Sequence, residues 1–496
     1  MAHTDSRTDE PLSTADNPLL DSKAERPVRV AVIGSGPAGV YASDALLKSD
    51  HNVHVDIFEM MPAPFGLIRY GVAPDHPRIK GIIKSLHRVM DKDEIRLFSN
   101  VEFGKDITVS DLEQLYDGII FATGAYGDRE LPIPGADLPQ HWGAGEFVGF
   151  YDSNPNFPRN WDLSAESVAV VGVGNVGLDI SRILAKTADE LLVTEIADNV
   201  YESLKQNQAK EVHVFGRRGP AQAKFTPLEL KELDHSPTIE VVVSPEDIDY
   251  DDASVQLRRE SKIVDQICQI LEGYAMRDRV GAPHKLHIHF FESPVEILEG
   301  TDANGQPCVV GFRTERTEYD GEGGIRGTGK FTDWPVQAVY SAVGYRSDAL
   351  PGVPFDHQRH VIPNAAGRVL NQADEVADSS SASASQASHL RGLYTTGWVK
   401  RGPVGLIGNT KGDANETVAC LLEDFDAGRT FQPQDLSNDE HFTAITELLK
   451  NRGVEFLTWD DWHALDAFEI AAGEAEGRGR KKTVEWEDMV RYSQQR

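Results

Sequence analysis

Two stretches of the chain share one pattern of apolar and polar positions. The first is VRVAVIGSGPAGVYASDAL, where Val28–Ile33 is apolar but for Arg29 and runs into glycines and then an apolar stretch of helical character. The second is SVAVVGVGNVGLDISRIL, with the apolar run Val168–Val171. Runs of this kind, without polar alternation, predict strands buried on both faces of a parallel sheet. A further apolar strand follows each: VHVDIF, ending at Glu59, and EVHVF, ending just before Gly216. YDGIIFATGA (Tyr116–Ala125) and VYSAVGYR (Val339–Arg346) are apolar strands that run into polar turns. They predict the points where the chain crosses between two domains. The pattern predicts an α/β protein with two doubly wound, Rossmann-like nucleotide-binding domains.

The glycines give those turns a chemistry. Gly34, Gly36 and Gly39 have the spacing G-x-G-x-x-G, as do Gly172, Gly174 and Gly177. In this motif the first glycine makes the tight turn, the second lets backbone approach a pyrophosphate, and the third permits close helix packing. The anion sits against the free N–H groups and positive dipole of the helix N-terminus. Glu59 lies 25 residues after Gly34, where an acid accepts hydrogen bonds from a ribose diol and repels a 2′-phosphate. The second unit ends instead in Gly216, Arg217 and Arg218. Two guanidiniums there fork onto a phosphate. An acid-ended and an arginine-ended site in one chain indicate FAD in the first and NADPH in the second.

Composition narrows the function classes. The 496 residues are 40% hydrophobic and 26% charged, with a net charge of −30 that argues against nucleic acid. No apolar run reaches the roughly 18 residues of a transmembrane helix. Cys268, Cys308 and Cys420 are far apart, which fits a reducing, cytoplasmic setting and offers no Cys-x-x-Cys redox pair. Residues 1–26 are polar and acid-rich, and are expected to be a disordered tail. DSSSASASQAS (Asp378–Ser388) is expected to be a flexible insertion. No metal constellation is legible: the histidines are dispersed, and HKLHIHF predicts a strand with His287 and His289 on one face and His284 opposite.

Longer blocks carry a resemblance. GSGPAG, FGLIRYGVAPDHPRIK (Phe65–Lys80), GVGNVGLDISRIL, GRRGPAQAKFTPLELKEL (Gly216–Leu233) and TTGWVKRGPVGLIGNTKGDA (Thr395–Ala414) resemble the adrenodoxin reductase family, with its bacterial NADPH–ferredoxin reductases. The resemblance implies a glutathione-reductase-like fold. It implies hydride transfer from NADPH to FAD, then single electrons to a ferredoxin-type iron–sulfur protein that feeds a cytochrome P450 or another reductive enzyme. It places Ala38, Glu59 and Leu67 against FAD, Val101 near the adenine, Trp398 over the flavin, and Leu406 and Ile407 beside it. Gly405 is where the nicotinamide approaches. Asn175 and Val176, beside Gly174, match the NADP pyrophosphate contact. Arg217, Arg218 and Glu229 match the adenosine-phosphate end, and His76, Asp179 and Glu232 match polar positions near nicotinamide and flavin. The implied organisation is a discontinuous FAD domain, residues 27–125 and 346–430, an NADP domain over 126–345, and a helical extension of the FAD domain over 431–496. The cations Arg69, Lys80, Lys84, Arg88, Lys400, Arg401, Lys411, Arg258, Arg259, Arg277 and Arg279 are expected to contribute a patch for an acidic ferredoxin. Three other classes fit less well. A disulfide reductase lacks its cysteine pair, an electron-input subunit lacks cluster ligands, and a non-catalytic flavin sensor has no need of the arginines.

Overall fold

In the computed structural model the described residues are 26–371, 388–405 and 407–495. The serine-rich insertion lies almost wholly outside them, as does the N-terminal tail. Arg26 is the exception: its guanidinium makes two 2.8 Å bonds to the Asp117 carboxylate, so it belongs to the ordered fold.

The first sheet is built from β1 (Val28–Ile33), β2 (Val53–Glu59), β3 (Ile95–Ser99) and β4 (Gly118–Phe121). β5 (Gly127–Asp128) begins the excursion away from it. The second sheet comprises β6 (His141–Gly143), β7 (Ser167–Val171), β8 (Glu211–Phe215), β9 (Ile239–Val243), β10 (His284–His289) and, after an antiparallel meander, β14 (Ala338–Ser341). The meander is β11 (Glu292–Thr301), β12 (Pro307–Tyr319) and β13 (Ile325–Trp334). The return crossing is β15 (Tyr345–Arg346), after which β16 (Asn364–Ala365), β17 (Arg368–Leu370) and β18 (His389–Thr395) complete the first sheet.

The seven-stranded order is β16-β17-β18-β4-β1-β2-β3, and the six-stranded order is β6-β14-β7-β8-β10-β9. β1 thus lies between β4 and β2, and β7 between β14 and β8. Each is a switch point where ligands bind beyond the carboxyl ends of the strands. The central strands are parallel and buried along almost their whole length, as their unbroken apolar runs require. The two crossings pair with each other as a short antiparallel ribbon, Tyr345 opposite Asp128 and Arg346 opposite Gly127.

The C-terminal helices complete the core beneath the first sheet. Trp462, Leu465 and Met489 pack in one cluster with Val30, Val32 and Leu86. They also reach the second unit: Arg478 Nη1 donates to the Ile196 carbonyl at 2.7 Å, and Lys482 pairs with Glu195 at 2.7 Å. The meander is absent from the sequence-based reading, which predicts only the strands on either side of it, β10 and β14. No helix among the described residues is long and apolar enough to cross a membrane.

Candidate active site: two glycine turns and a buried charge network

At the first turn, Gly34 has φ +107°, and a Cβ there would meet the Ala122 carbonyl oxygen at 2.6 Å. A Cβ at Gly39 would stand 2.0 Å from Gly34 O, so the helix rests directly on the turn. Gly36 is different, with nothing within 4 Å of its missing Cβ. The helix Pro37–Leu47 starts there without a side-chain cap, so its first N–H groups face open space. That is a cradle for a phosphate. Ala38, in the first turn of this helix, touches the Gly397 backbone closely enough that a Cβ on Gly397 would stand 2.6 Å from its methyl group. Leu67 follows Gly66, whose missing Cβ would lie 3.3 Å from Gly36 Cα, so the loop 63–67 roofs the turn.

Glu59 ends β2 buried beneath this turn. Its carboxylate accepts from Ser35 N (3.0 Å), Ser35 Oγ (2.6 Å) and Met61 N (2.9 Å). Burial raises its pKa against the pull of those donors. Glu59 therefore braces the turn, and its remaining lone pairs are what a ribose can use. Val101 N donates to Glu59 O at 2.9 Å. Next to it a cavity of about 230 Å³ is lined by Met60, Asn100, Asn156 and Trp486 among others. Trp486 Nε1 donates to Asn100 Oδ1 at 2.9 Å. Sequence reasoning missed both, because Trp486 arrives from the far end of the chain and stands in no motif.

The second turn repeats the construction. Gly172 has φ +131° with its missing Cβ 2.2 Å from Ala342 O, and that of Gly177 would be 2.4 Å from Gly172 O. Gly174 is again open, at the uncapped start of the helix Asn175–Ala185. Asn175 Oδ1 accepts from Thr226 N at 2.8 Å, tying the turn to the Pro227–Glu232 helix. Val176 is half-buried one residue on. After β8 comes the arginine pair. Arg217 is exposed and forms no ion pair among the described residues. Arg218 donates to Gly323 O at 2.5 Å, while its Nε is buried without a partner.

Between the turns lies a network of buried charge. His76, 4% exposed, places Nε2 2.9 Å from Asp179 Oδ1 and Nδ1 2.8 Å from Glu232 Oε2. Burial disfavours its charge, but the Asp179 carboxylate outweighs this and holds His76 above the usual histidine range. The ring then donates from both nitrogens. The 2.8 Å approach of Arg182 Nη2 to His76 Nε2 is accordingly two donors converging on Asp179 Oδ1, which Arg182 reaches at 2.9 Å. Arg182 also grips Asp75 in a fork of 2.7 and 2.8 Å. Against the burial that would raise it, Arg182 and Lys186 hold Asp75 far below the carboxylate range.

Glu229, which the resemblance places with the arginine pair, lies near enough to this network for the charges of Asp179, His76 and Arg182 to act on it, besides its bond with Thr226. It is 6% exposed, Oε2 has no partner, and burial followed by the Asp179 charge pushes it up to about 7. The folded state therefore holds a proton between about 4.5 and about 7 that the unfolded chain has released, so stability falls as pH rises through that window. Glu229→Gln abolishes this slope. Relative to wild type, its thermal midpoint is expected to rise between about pH 5 and about pH 8, by the equivalent of roughly 2–3 kcal/mol. A constant difference between the two proteins would remove the assignment.

The resemblance places the rings at the loop after β18. Trp398, half-buried, stacks on Tyr345 with centroids 6.1 Å apart. Gly405 is exposed at φ +86°, a conformation that favours glycine, and a Cβ there would stand 3.2 Å from Asn409 Oδ1. Leu406 lies outside the described residues, and Ile407 opens the helix Ile407–Asp426.

This geometry has known counterparts. A family model described as pyridine nucleotide-disulphide oxidoreductase matches residues 28–215. The NADPH-ferredoxin reductase FprA of Mycobacterium tuberculosis is 37% identical over 476 residues, covering 94% of this chain and 99% of that one. The mitochondrial NADPH:adrenodoxin oxidoreductase of Bos taurus is 35% identical over 484 residues, covering 95% and 93%. The structure of M. tuberculosis FprA in complex with NADPH superposes with a TM-score of 0.83 at 36% identity, covering 94% of this chain and all of that one. The chain belongs to the NADPH–ferredoxin/adrenodoxin oxidoreductase family. In this family member most of the cations expected to form a docking patch are already engaged. Arg69 is buried on Glu469 at 2.6 Å, and Lys80 pairs with Asp152 and Glu195. Lys400 pairs with Asp413 and Glu416, Arg401 with Asp413, Arg258 with Asp265 and Glu272, and Arg277 with Asp234. Lys84, Arg88, Arg259, Arg279 and Lys411 are exposed and form no ion pair among the described residues.

Proposed function

We propose that this protein is an FAD-dependent reductase that takes electrons from NADPH and delivers them singly to an acidic ferredoxin-type iron–sulfur protein. The observation that carries the reading is the pair of open, uncapped glycine turns, one ending in Glu59 and the other in Arg217 and Arg218. A bound flavin supplies the exchange between two-electron and one-electron chemistry. The protein's part is to hold and orient. Gly36, Ala38 and Leu67 frame the space for the FAD pyrophosphate, and Glu59 and Val101 the adenosine end. Gly174, Asn175 and Val176 face the NADPH pyrophosphate. His76 keeps a proton between Asp179 and Glu232, and thereby locks the FAD-side loop 65–80 onto the NADP-side helix Asn175–Ala185. Trp398 and Gly405 shape the contact for the rings. Residues 27–125 and 346–430 serve as the FAD domain and 126–345 as the NADP domain.

The three cysteines are all free, which leaves a disulfide-reductase reading without its reacting pair and agrees with a reducing, cytoplasmic setting. The iron–sulfur protein in turn would feed a reductive enzyme such as a cytochrome P450. Acid-released flavin run against standards is expected to be FAD, and NADPH is expected to bleach it without air. FMN, or no flavin, refutes the reading; bleaching without turnover on any ferredoxin favours the flavin-sensor alternative. Docking is expected to use the exposed cations. Charge reversal at Arg259 and Arg279 should weaken ferredoxin-coupled cytochrome reduction several-fold and reduce its salt dependence, while ferricyanide reduction stays unchanged. Equal loss in both assays counts against this surface.

A further inference from the structure

The sheet β6-β14-β7-β8-β10-β9 carries a second group of ligating side chains, on the face opposite the Asn175–Ala185 helix. Strand alternation decides the faces. Val212, Val214, Leu286 and Ile288 join the helix-side core with Leu178. Their neighbours Glu211, His213 and Phe215 on β8 and Lys285, His287 and His289 on β10 point the other way. The strands are parallel, with His213 directly opposite His287 and Phe215 opposite His289. Three imidazoles, two of them 74 and 76 residues along the chain from the first, thus meet on one patch of sheet. One ring nitrogen from each lies within 4.8 Å of the others.

We infer that His213, His287 and His289 bind one borderline first-row dication, Zn²⁺ or in its place Co²⁺, Ni²⁺ or Cu²⁺, with water at the open fourth position. His213 Nδ1 and His289 Nε2 are 3.0 Å apart. Tetrahedral ligands at Zn–N bonds of about 2.0–2.1 Å stand roughly 3.3 Å apart, so this pair is near coordination spacing already. Each is the other's sole side-chain hydrogen-bond partner among the described residues. No carboxylate competes for them, and a tautomer shift frees both lone pairs. Glu211 Oε2, 2.6 Å from His287 Nε2, supplies the carboxylate that orients that ring. Trp334 closes one side, 4.5 Å from the His289 ring. His287 keeps 17% of its side chain exposed and so leaves an approach from solvent. The rings now lie nearly parallel, 4° to 15° apart, with lone pairs side by side. Convergence requires rotation about Cβ–Cγ, which is a broad torsion for histidine.

The test is a Co²⁺ titration of the untagged, chelator-treated holoenzyme, read at wavelengths beyond the flavin band. The expected result is one equivalent per chain with the intense visible bands of four-coordinate cobalt, erased by Zn²⁺. His213→Asn and His289→Gln should each lose the bands and weaken binding at least tenfold. His284→Asn, on the opposite face, should keep both. NADPH–ferricyanide activity of every variant reports that fold and flavin are intact. A wild type without these bands overturns the site, with no dependence on any variant. So do folded His213 and His289 variants that bind as wild type does.

Discussion

Replacing Arg217 and Arg218 together by alanine will cut kcat/KM for NADPH about a hundredfold or more, and for NADH far less. Each charge-assisted bond to a 2′-phosphate contributes roughly 1.5–3 kcal/mol, and about 1.4 kcal/mol is a factor of ten. The single variants should differ. Arg217 projects into solvent, with only its carbonyl held, accepting from Thr317 Oγ1 at 2.7 Å. Arg217→Ala therefore changes NADPH use alone. Arg218 also straps the loop to the Gly323 carbonyl, so Arg218→Ala is expected to loosen the turn and raise the KM for both nucleotides. Steady-state kinetics with the two coenzymes decides this. An unchanged NADPH-to-NADH ratio in the double variant would falsify the phosphate assignment.

The second large effect concerns stability. Glu469 is fully buried, accepting from Arg69 at 2.6 and 2.9 Å, Arg480 at 2.7 Å and Thr483 N at 2.8 Å. Burial opposes its charge, and the Arg69 guanidinium overrides it, so Glu469 stays below the usual carboxylate range. A depressed carboxylate contributes stability above its unfolded pKa and loses it as pH falls through the folded one. Glu469→Ala leaves Arg69 buried without its counter-charge, and such losses run to about 3–5 kcal/mol. The defect lies in the short helix Leu67–Tyr70, which continues the loop that roofs the first glycine turn, so flavin should be released at lower temperature too. Differential scanning calorimetry followed by flavin fluorescence gives both readings. An unchanged midpoint would show that the pair is replaceable by packing.

What the sequence made legible was local. Glycine spacing, unbroken apolar runs and the acid-versus-arginine contrast at Glu59 and Arg217 each need only some fifty consecutive residues, and the fold keeps them. What it hid was long-range pairing. Arg69 looks like a free surface cation until Glu469 reaches it from 400 residues away. His213 looks isolated until β10 is laid beside β8. Arg26 reads as tail because Asp117 stands 91 residues away, just before β4. Charge in this chain is abundant, and no periodicity says which carboxylate meets which cation. The resemblance named His76, Asp179 and Glu232, yet only the fold shows that they form a bridge between the two units.

The ribbon of Gly127–Asp128 and Tyr345–Arg346 has a mechanical consequence. Both strands that leave and re-enter the first unit pass side by side, so the second unit is attached at one pivot. A single pivot leaves rotation unopposed by the covalent chain. The stops are ionic: Arg182 on Asp75, and Lys80 and Lys482 on Glu195, all set well off the pivot in sequence and largely shielded from water. Mobile ions screen such shielded pairs weakly. The angle between the two nucleotide turns is thus a property of latch charges, tunable by single substitutions at Asp75 or Glu195 without touching either turn.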